Sequence, residues 1–470
     1  MIYLIYLPIN LIDIAIKAQP VRRLSILIIF CIIKFLIPVM ICEAGGNNEK
    51  NGLLTLKESI YEALNKNPLI KARQEAVKGS VNAKNQARTD LLPTFRSSYN
   101  YTGFDRAKNL KNVPLGPSTN VPYLEIGEKD NYQWDVGLYQ PVFTGFAIIS
   151  KYRLAGLGVN LSNLELNLSE LDLILGVKEA YYGVLKAIKD LDVAKKAFEN
   201  LQSQVNDARN FYDVGLIPVN DLLKTEVEFA NVRHNLVKAQ NNIRLARSAF
   251  NIILTRSINE PVNIEDTLIY EPISLDYDNY VQLAVENRPE LKTVDTRILK
   301  VDQEIRLARS KYYPELSLAV NYIKEGDGPE VSGSNFHEST NWRAMGVLSW
   351  TFWQWGKTHY SVCEKKNLKR ELIQIRKWLE DSIRLEVKEA ILELVEAEEN
   401  IPTTKKAVEQ SEENFRVNRD RYKAQLTTST EVLDAQTLMT QASSNYYNAL
   451  YEFKVGKARL DRAVGIHHKK

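Results

Sequence analysis

The sequence predicts an α+β protein built from two copies of one unit, in which pairs of short strands alternate with very long helices. Three observations support this fold class: few chain-breaking residues, an internal repeat, and two kinds of hydrophobic periodicity. The 21 glycines and 16 prolines of the 470-residue chain are about 8% of it, against roughly 12% in an average protein. Long uninterrupted elements are therefore expected, rather than the three compact domains that the length alone suggests.

Two homologous halves follow one another along the chain. Their residues match at an offset of 221 upstream of the strands and at an offset of 210 downstream of them. Gly145 is paired with Gly356 at an offset of 211, so the first half has the longer connection between its strands. The matches include Val177–Ala180 with Val387–Ala390, Lys195–Ala197 with Lys405–Ala407, Pro68 with Pro289, and Pro93 with Pro314.

Each half is predicted to contain a helix, two strands joined by a long loop, a very long helix, a short turn and a return helix. The first repeat covers 45–270, with strands at about 93–104 and 131–143, a long helix at 145–211 and a return helix at 219–255. The second repeat covers 271–465, with helices within 277–311, strands at about 314–324 and 341–353, a long helix at 356–423 and a return helix at 430–464. Residues 466–470 form a tail.

Apolar and polar residues alternate along the strands with the period of two that gives a sheet one apolar face. This pattern fits a sheet half-buried against helices, and it fits equally well a membrane β-barrel that is apolar and aromatic outside and polar inside. In a barrel, Arg96, Asn100 and Arg343 would face the lumen. The aromatic girdle would consist of Tyr99, Tyr101, Tyr132, Trp134, Tyr322 and Trp342.

Both long helices carry a heptad seam, which is the contact surface of a coiled coil. A helix from Gly145 to about Asn210 would be roughly 98 Å long. No compact domain of this size holds such a rod, so it must be a stalk or a stave of a barrel. The seam residues are Leu154, Leu157, Leu161, Leu164, Leu168, Leu171 and Leu175 in the first half, and Val387, Ala390, Leu394, Ala397 and Ile401 in the second.

The first 44 residues differ from the rest of the chain. Arg22-Arg23 precedes an apolar run, Leu24–Ile41, and small residues follow near Ala44. This order is typical of a signal peptide over 1–44, here with an over-long start. The alternative is a membrane anchor over 24–41, which is barely long enough to cross a bilayer.

The formal net charge is +3, from 61 Lys+Arg and 58 Asp+Glu. This near balance excludes the basic surface on which nucleic-acid binding depends. The five histidines share no metal-ligand spacing with cysteine or carboxylates, and no phosphate-binding loop or nucleophile elbow occurs. The sequence therefore predicts no catalytic residues, no cofactor and no metal site.

Short motifs recur in a set order along residues 53–465. They are Ala63–Pro68 with its partner Ala284–Pro289, Gln140–Gly145 after the second strand, and the tip segments Phe211–Leu216 and Glu431–Gln436. In their order, spacing and duplication they resemble the TolC-like outer-membrane efflux proteins, the outer-membrane factors.

The resemblance implies a homotrimer. Four strands from each chain would form a 12-stranded outer-membrane β-barrel, continued by a long periplasmic α-helical barrel of coiled-coil hairpins. The implied function is an exit duct of a tripartite efflux or type I secretion system, which passively conducts solutes or proteins. The implied partners are a periplasmic adaptor (membrane fusion) protein, an inner-membrane pump of the RND or ABC type, and outer-membrane lipid. The alternative is a periplasmic coiled-coil structural or adaptor protein.

The resemblance also implies a gate at the periplasmic tips. Glu431 and Asp434 match carboxylates that make the mouth selective for cations, although Glu431 also suits a helix N-terminus that it stabilises through the macrodipole. Asp221 and Tyr422 match a bonded pair that holds the closed state. The turn departs from the family at two positions, where Thr427 replaces an arginine and Gln425 replaces a glycine.

Overall fold

The computed structural model describes residues 53–116, 119–273 and 276–466. The predicted signal peptide, 1–44, and residues 467–470 of the predicted tail lie outside this part of the chain. Among the described residues, no helix combines the length and the hydropathy that a membrane span requires.

Long helices dominate the described part of the chain. The helices are α1 (Leu56–Lys66), α2 (Pro68–Thr89), α3 (Ala147–Asp213), α4 (Val219–Ile253), α5 (Tyr277–Asn287), α6 (Pro289–Arg309), α7 (Lys357–Lys423) and α8 (Ser429–Val464). The strands are β1 (Thr94–Gly103), β2 (Asn109–Gly116), β3 (Thr119–Glu125), β4 (Asp130–Thr144), β5 (Glu315–Gly326) and β6 (Thr340–Ser349).

Four strands form one antiparallel sheet in the order β1–β4–β5–β6. β4 and β5 are therefore the central strands, and β1 and β6 are the edges. β4 leads into α3, and β5 follows α6. β6 ends at Ser349 rather than at the predicted 353, because Ser349 pairs with Glu315, the first residue of β5. The connection predicted as a loop in the first half contains a separate antiparallel hairpin, β2–β3.

The two long helices are equal in length, since α3 and α7 each contain 67 residues. Two consecutive residues with positive φ precede each helix: Gly145 and Phe146 before α3, and Trp355 and Gly356 before α7. Equivalent positions are therefore 210 residues apart, and Phe146, not Gly145, corresponds to Gly356. The predicted pairing at an offset of 211 was wrong, because glycine occupies the first left-handed position in one half and the second in the other.

The main hydrophobic core joins all four long helices and includes Tyr181, Phe250, Leu394 and Phe453. The predicted seam of the second half is buried, with exposed fractions of 0–7%. The seam of the first half is not: of its seven described leucines, only Leu171 is buried. One seam is thus satisfied within the chain, whereas most of the other is left partly open to solvent.

Candidate functional site

The polar face of the sheet carries a row that crosses all four strands. Arg96 pairs with Gly137, Gly137 with Asn321, and Asn321 with Arg343. Asn321 donates a hydrogen bond of 2.9 Å to Asp135, and it occupies the space where a side chain on Gly137 would lie. Both arginines are exposed. The structure therefore brings Arg96 and Arg343 onto one face at one level.

Asn100 lies on the same face as this row. It pairs with Gln133 and is exposed. Because Arg96 is four residues earlier on β1, Asn100 lies further towards the end of the sheet that is remote from the helices.

The six predicted girdle residues lie on the opposite, apolar face, near the end of the sheet that is remote from the helices. The ring centroids of Tyr101 and Tyr132 are 4.8 Å apart. The indole nitrogen of Trp134 donates a hydrogen bond of 3.0 Å to Ser97. Trp342 is 73% exposed. The remaining members are Tyr99, opposite Trp134, and Tyr322, opposite Trp342.

A second aromatic belt, which sequence reasoning missed, lies at the helix end of the sheet. Its members are 49–86% exposed. They lie beyond the strand ends, and the density of tryptophan just after β6 was the available signal. The members are Phe146, Tyr312, Tyr313, Trp350, Phe352, Trp353 and Trp355.

The two belts border an apolar band. Trp342 and Trp350 are eight residues apart, about 26 Å along an extended strand, or roughly 20 Å along the axis of a barrel with strands tilted by about 40°. Between the belts the sheet exposes Phe95, Leu318, Val320 and Leu348. Exposed apolar surface between two aromatic belts is typical of a membrane barrel.

A bulge in β4 adjusts the junction between the sheet and the helices. Pro141 pairs with Ser317, but Phe143 pairs with Leu316, so Val142 is the extra residue. Bulges at barrel rims re-aim side chains. Here the bulge moves Phe143 onto the apolar face, where its ring lies 5.5 Å from that of Phe146.

Tyr422 lies at the tip of the second hairpin and is only 2% exposed. It packs in a cluster with Phe415 and Val432, and its ring lies 5.5 Å from that of Phe211. Its hydroxyl has no hydrogen-bond partner within the described part of the chain. Burial raises the pKa of this hydroxyl, and the nearby charge of Asp221 raises it further.

The predicted hydrogen bond between Asp221 and Tyr422 is therefore absent within the chain, although the two residues are neighbours. The hydroxyl is surrounded by apolar side chains, whereas Asp221 lies in the first turn of α4 and is half-buried. Aromatic and aliphatic packing surrounds the Tyr422 ring, and a polar bond between the two tips runs from Lys224 to Thr430, at 2.9 Å.

Glu431 and Asp434 lie three residues apart on α8 and are both exposed. Residues at this spacing share a helix face. Glu431 is in the first turn of α8 and accepts a hydrogen bond from the hydroxyl of Thr427. The side chain that replaces the family's arginine therefore orients this carboxylate. Asp434 makes no ion pair with any described residue.

The part of the chain that the structure describes holds no group of histidine, cysteine and carboxylate side chains that could bind a metal ion.

The model of the outer membrane efflux protein family matches residues 59–254 and 280–466. The chain belongs to this family. Each matched segment of the efflux protein contains one long hairpin, α3–α4 or α7–α8.

Solved structures of outer membrane channels share the fold of this efflux protein. The Campylobacter jejuni channel CmeC is 16% identical, with a TM-score of 0.74 over 87% of this chain and 85% of that one. VceC from Vibrio cholerae is 16% identical, with a TM-score of 0.72 over 87% and 96%. The open state of MtrE from Neisseria gonorrhoeae is 16% identical, with a TM-score of 0.71 over 87% and 88%. No curated protein matches the sequence.

These comparisons confirm the resemblance to the TolC-like family, and with it the α+β fold class. As a member of this family, the protein acts in efflux at the outer membrane. The alternative, a periplasmic adaptor, belongs to a different class from the family that matches. The family is one of channels rather than of enzymes.

Proposed function

We propose that three copies of the chain close into a 12-stranded barrel, and that this barrel is the outer-membrane part of an exit duct. This proposal rests on the four-stranded sheet, which has two unpaired edges and two aromatic belts on one face. Open sheet edges are not tolerated in lipid, so β6 of one chain must pair with β1 of the next. The polar row with Arg96 and Arg343 then lines the lumen.

The open seam of the first half supports the same assembly. Leucines from Leu154 to Leu168 are spaced for a coiled coil but are not buried within one chain. Such a surface is stabilised when it packs against another helix. In the trimer the neighbouring chains supply that cover, and the hairpins form the staves of the periplasmic α-helical barrel.

Transport through this duct is passive. An inner-membrane pump of the RND or ABC type supplies the energy, and a periplasmic adaptor protein joins the pump to the hairpin tips. The cargo is a solute expelled by an efflux system or a protein exported by type I secretion.

Two neighbouring substitutions test which face of the sheet meets lipid. Val320→Arg places a charge on the apolar face, where Val320 is 46% exposed, and should cost about 2–4 kcal/mol near the middle of the bilayer. Ala319→Arg is the matched control, because the adjacent residue points to the polar face. Assembly is read from migration of the unheated trimer on denaturing gels and from channel conductance in planar bilayers.

We expect Val320→Arg to reduce trimer yield in the outer membrane several-fold and Ala319→Arg to retain trimers of altered conductance. Equal yields for the two variants would contradict the membrane-barrel assignment. A wild-type protein that fractionated entirely with the soluble periplasm would contradict the exit duct itself.

The tips carry the second element of the proposal. Three chains place two exposed carboxylates each, Glu431 and Asp434, around the periplasmic mouth. A ring of negative charge at a narrow opening favours cations over anions. Asp221 and Tyr422 belong to the same gate region, which closes through packing around Tyr422.

The double variant Glu431→Gln/Asp434→Asn tests the carboxylate ring. We expect the reversal potential in a salt gradient to shift towards zero, because cations lose their preference. Glu452→Gln, about 32 Å further along α8, is the control and should leave the potential unchanged. An unchanged potential in the double variant would remove these two residues from the gate.

A further inference from the structure

Two cavities lie on opposite sides of the junction where β4 leads into α3. The larger one, about 1080 Å³, is lined by Ser349 and Thr351 from the polar side of the sheet and its continuation. Its lysines are partly neutralised, since Lys365 lies 3.6 Å from Glu304 and Lys311 lies 3.5 Å from Glu315. This cavity belongs to the lumen side of the junction.

The smaller cavity, about 460 Å³, is different in charge. It is lined by Arg153 of α3 and by Arg306 and Arg309 of α6, and no acidic residue lines it. We call it the arginine cavity. None of the three guanidinium groups has a hydrogen bond or ion pair within the described residues. Its volume falls in the range of about 300–1,000 Å³ that is usual for small-ligand sites.

The arginine cavity opens on the membrane side of the junction. On α3 it is lined by Ile149, Ser150 and Arg153, whereas the lumen-side cavity is lined by the alternate face, with Ile148 and Lys151. Its rim is formed by Phe146 and Tyr313, whose rings lie 6.0 Å apart. Both rings belong to the aromatic belt at the helix end of the sheet.

The depth of the cavity matches the lipid headgroups. Tryptophan and tyrosine belts lie at the headgroup level of a bilayer. Arg153 follows Phe146 by seven residues, about 10 Å along a helix, and Arg309 directly precedes the turn that contains Tyr312. The three arginines therefore lie just outside the apolar band, at the level of the lipid phosphates.

The position within the protomer is consistent with an accessible site. The cavity is built from the elements next to β4 and β5, which are the central strands of the sheet. The edges that pair with neighbouring chains are β1 and β6. The assembly proposed above therefore leaves the cavity facing lipid rather than another chain.

We propose that the arginine cavity binds the phosphodiester of an anionic phospholipid in the leaflet next to the helices. Guanidinium groups form bidentate, charge-assisted hydrogen bonds with phosphate oxygens. Arg306 and Arg309 are three residues apart and share a face of α6, and Arg153 approaches from α3. The first turn of α3, where Thr144 accepts a hydrogen bond from the N–H of Ile148, adds the positive end of its macrodipole at the same rim. The aromatic rim contacts the upper acyl chain.

The site rests on the outer-membrane location but not on the gate or on the cargo. It gives the protein a lipid-dependent anchor at the level where the sheet changes into helices. A bound phosphodiester carries one negative charge, so it offsets part of the repulsion among three like charges that have no partner among the described residues.

The test is a titration of the purified wild-type trimer, in a neutral detergent, with phosphatidylglycerol, followed by native mass spectrometry. The test variant is Arg153→Gln/Arg306→Gln/Arg309→Gln. Arg297→Gln is the matched control, because Arg297 is an exposed arginine of the same helix, about 13 Å further from the belt. We expect a loss of affinity of roughly fivefold for each arginine, and of roughly a hundredfold in the triple variant.

A second variant separates charge from geometry and guards against misfolding. Arg153→Lys/Arg306→Lys/Arg309→Lys keeps the charge but loses the paired N–H donors of the guanidinium group. Its affinity should lie between those of the wild type and the glutamine variant. Equal affinity in all variants overturns the proposal. Equally strong binding of glycerophosphoglycerol, the soluble phosphodiester that remains when phosphatidylglycerol loses its acyl chains, overturns the lipid as its source.

The same preparations are recorded in planar bilayers. A wild-type protein that conducts but shows no arginine-dependent lipid binding overturns the lipid site and leaves the channel intact. A wild-type protein that binds lipid through the arginines but does not conduct counts against the exit duct instead.

Discussion

The two halves begin an equivalent helix, α2 or α6, with the same backbone geometry but with different side-chain interactions. Asn67 and Arg288 each precede the proline that starts a helix, and their backbones are nearly identical, with φ of −59° and ψ of 126° and 124°. Asn67 accepts a hydrogen bond of 2.8 Å from the N–H of Leu69. Arg288 caps nothing; it is 3% exposed and bonds to Glu290 at 2.6 Å and to Glu386 at 2.5 Å.

This difference shows that a repeated backbone does not require a repeated interaction. A neutral amide at a helix end needs one or two hydrogen bonds, whereas a buried guanidinium needs opposite charges around it. In the second half these charges come from different helices, and Arg462 of α8 joins them at 3.0 Å from Glu386. Ion pairs centred on Arg288 therefore tie α6, α7 and α8 together in the second half. In the first half Asn67 makes no ion pair, and a nearby ion pair joins Glu62 of α1 to Arg256, which follows α4.

The largest effect is expected from Arg288→Met. The variant leaves Glu290 and Glu386 with Arg462 as their remaining cation, so the free energy of unfolding should fall by up to about 3–5 kcal/mol. Asn67→Ala at the equivalent position removes a cap and should cost about 1 kcal/mol. Thermal unfolding of the two variants measures the contrast, and equal losses would mean that the ion network contributes nothing beyond the cap.

The pH dependence sharpens the same contrast. Burial disfavours the charged form of Glu290, but the hydrogen bonds and charge of Arg288 outweigh it and lower the pKa of this carboxyl below 4.5. The wild type therefore gains stability from Glu290 above about pH 4.5 and loses it as the pH falls through the lowered pKa. In Arg288→Met, burial still disfavours the charged form of Glu290, and the stabilising charge of Arg288 is gone. Protonation of Glu290 in acid therefore removes part of the destabilisation of the variant. The stability difference should narrow in acid, and a constant difference would contradict this account.

The smallest effect is expected at the hairpin tips, at the position where a glycine of the first half is matched by a glutamine of the second. Gly215 and Gln425 both have positive φ, +77° and +59°, a conformation that glycine adopts freely and glutamine does not. Gln425→Gly should therefore stabilise the second tip by about 1 kcal/mol, and Gly215→Ala should destabilise the first by a similar amount. A β-carbon at Gly215 would contact nothing within 4 Å, so its cost is conformational. Amide hydrogen exchange at the two tips measures both changes; faster exchange in Gln425→Gly would rule out backbone strain there.

Sequence patterns predicted the positions of the helices and strands better than the contacts around them. The strand at 131–143 lies within β4, and the long helix predicted at 356–423 differs from α7 by one residue at its start. These elements follow from local periodicity and from scarce glycine and proline. The end of β6 was misplaced because pairing with β5, not the pattern of Trp350 and Phe352, decides where that strand stops.

The candidate site was anticipated in part. Arg96, Asn100 and Arg343 share a face because alternation along a strand is local, and Glu431 and Asp434 share a face because three residues nearly complete a helical turn. The bond between Asp221 and Tyr422 was not formed, because it depends on how α4, α7 and α8 pack around one hydroxyl. The belt at the helix end was missed because Trp350 and Phe352 continued the alternation of β6 and were read as part of that strand, while its other members lie outside any regular period.

The sequence by itself determined the duplicated order, the long helices and the two-faced strands, because each depends on residues close together along the chain. Tertiary structure alone decided how residues that are distant along the chain meet. The arginine cavity joins Arg153 to Arg306 and Arg309, from different halves, and the bulge at Val142 sets the face on which Phe143 lies. Burial of one heptad seam but not the other depends on which helices pack against it, and spacing along a single helix carries no information about that.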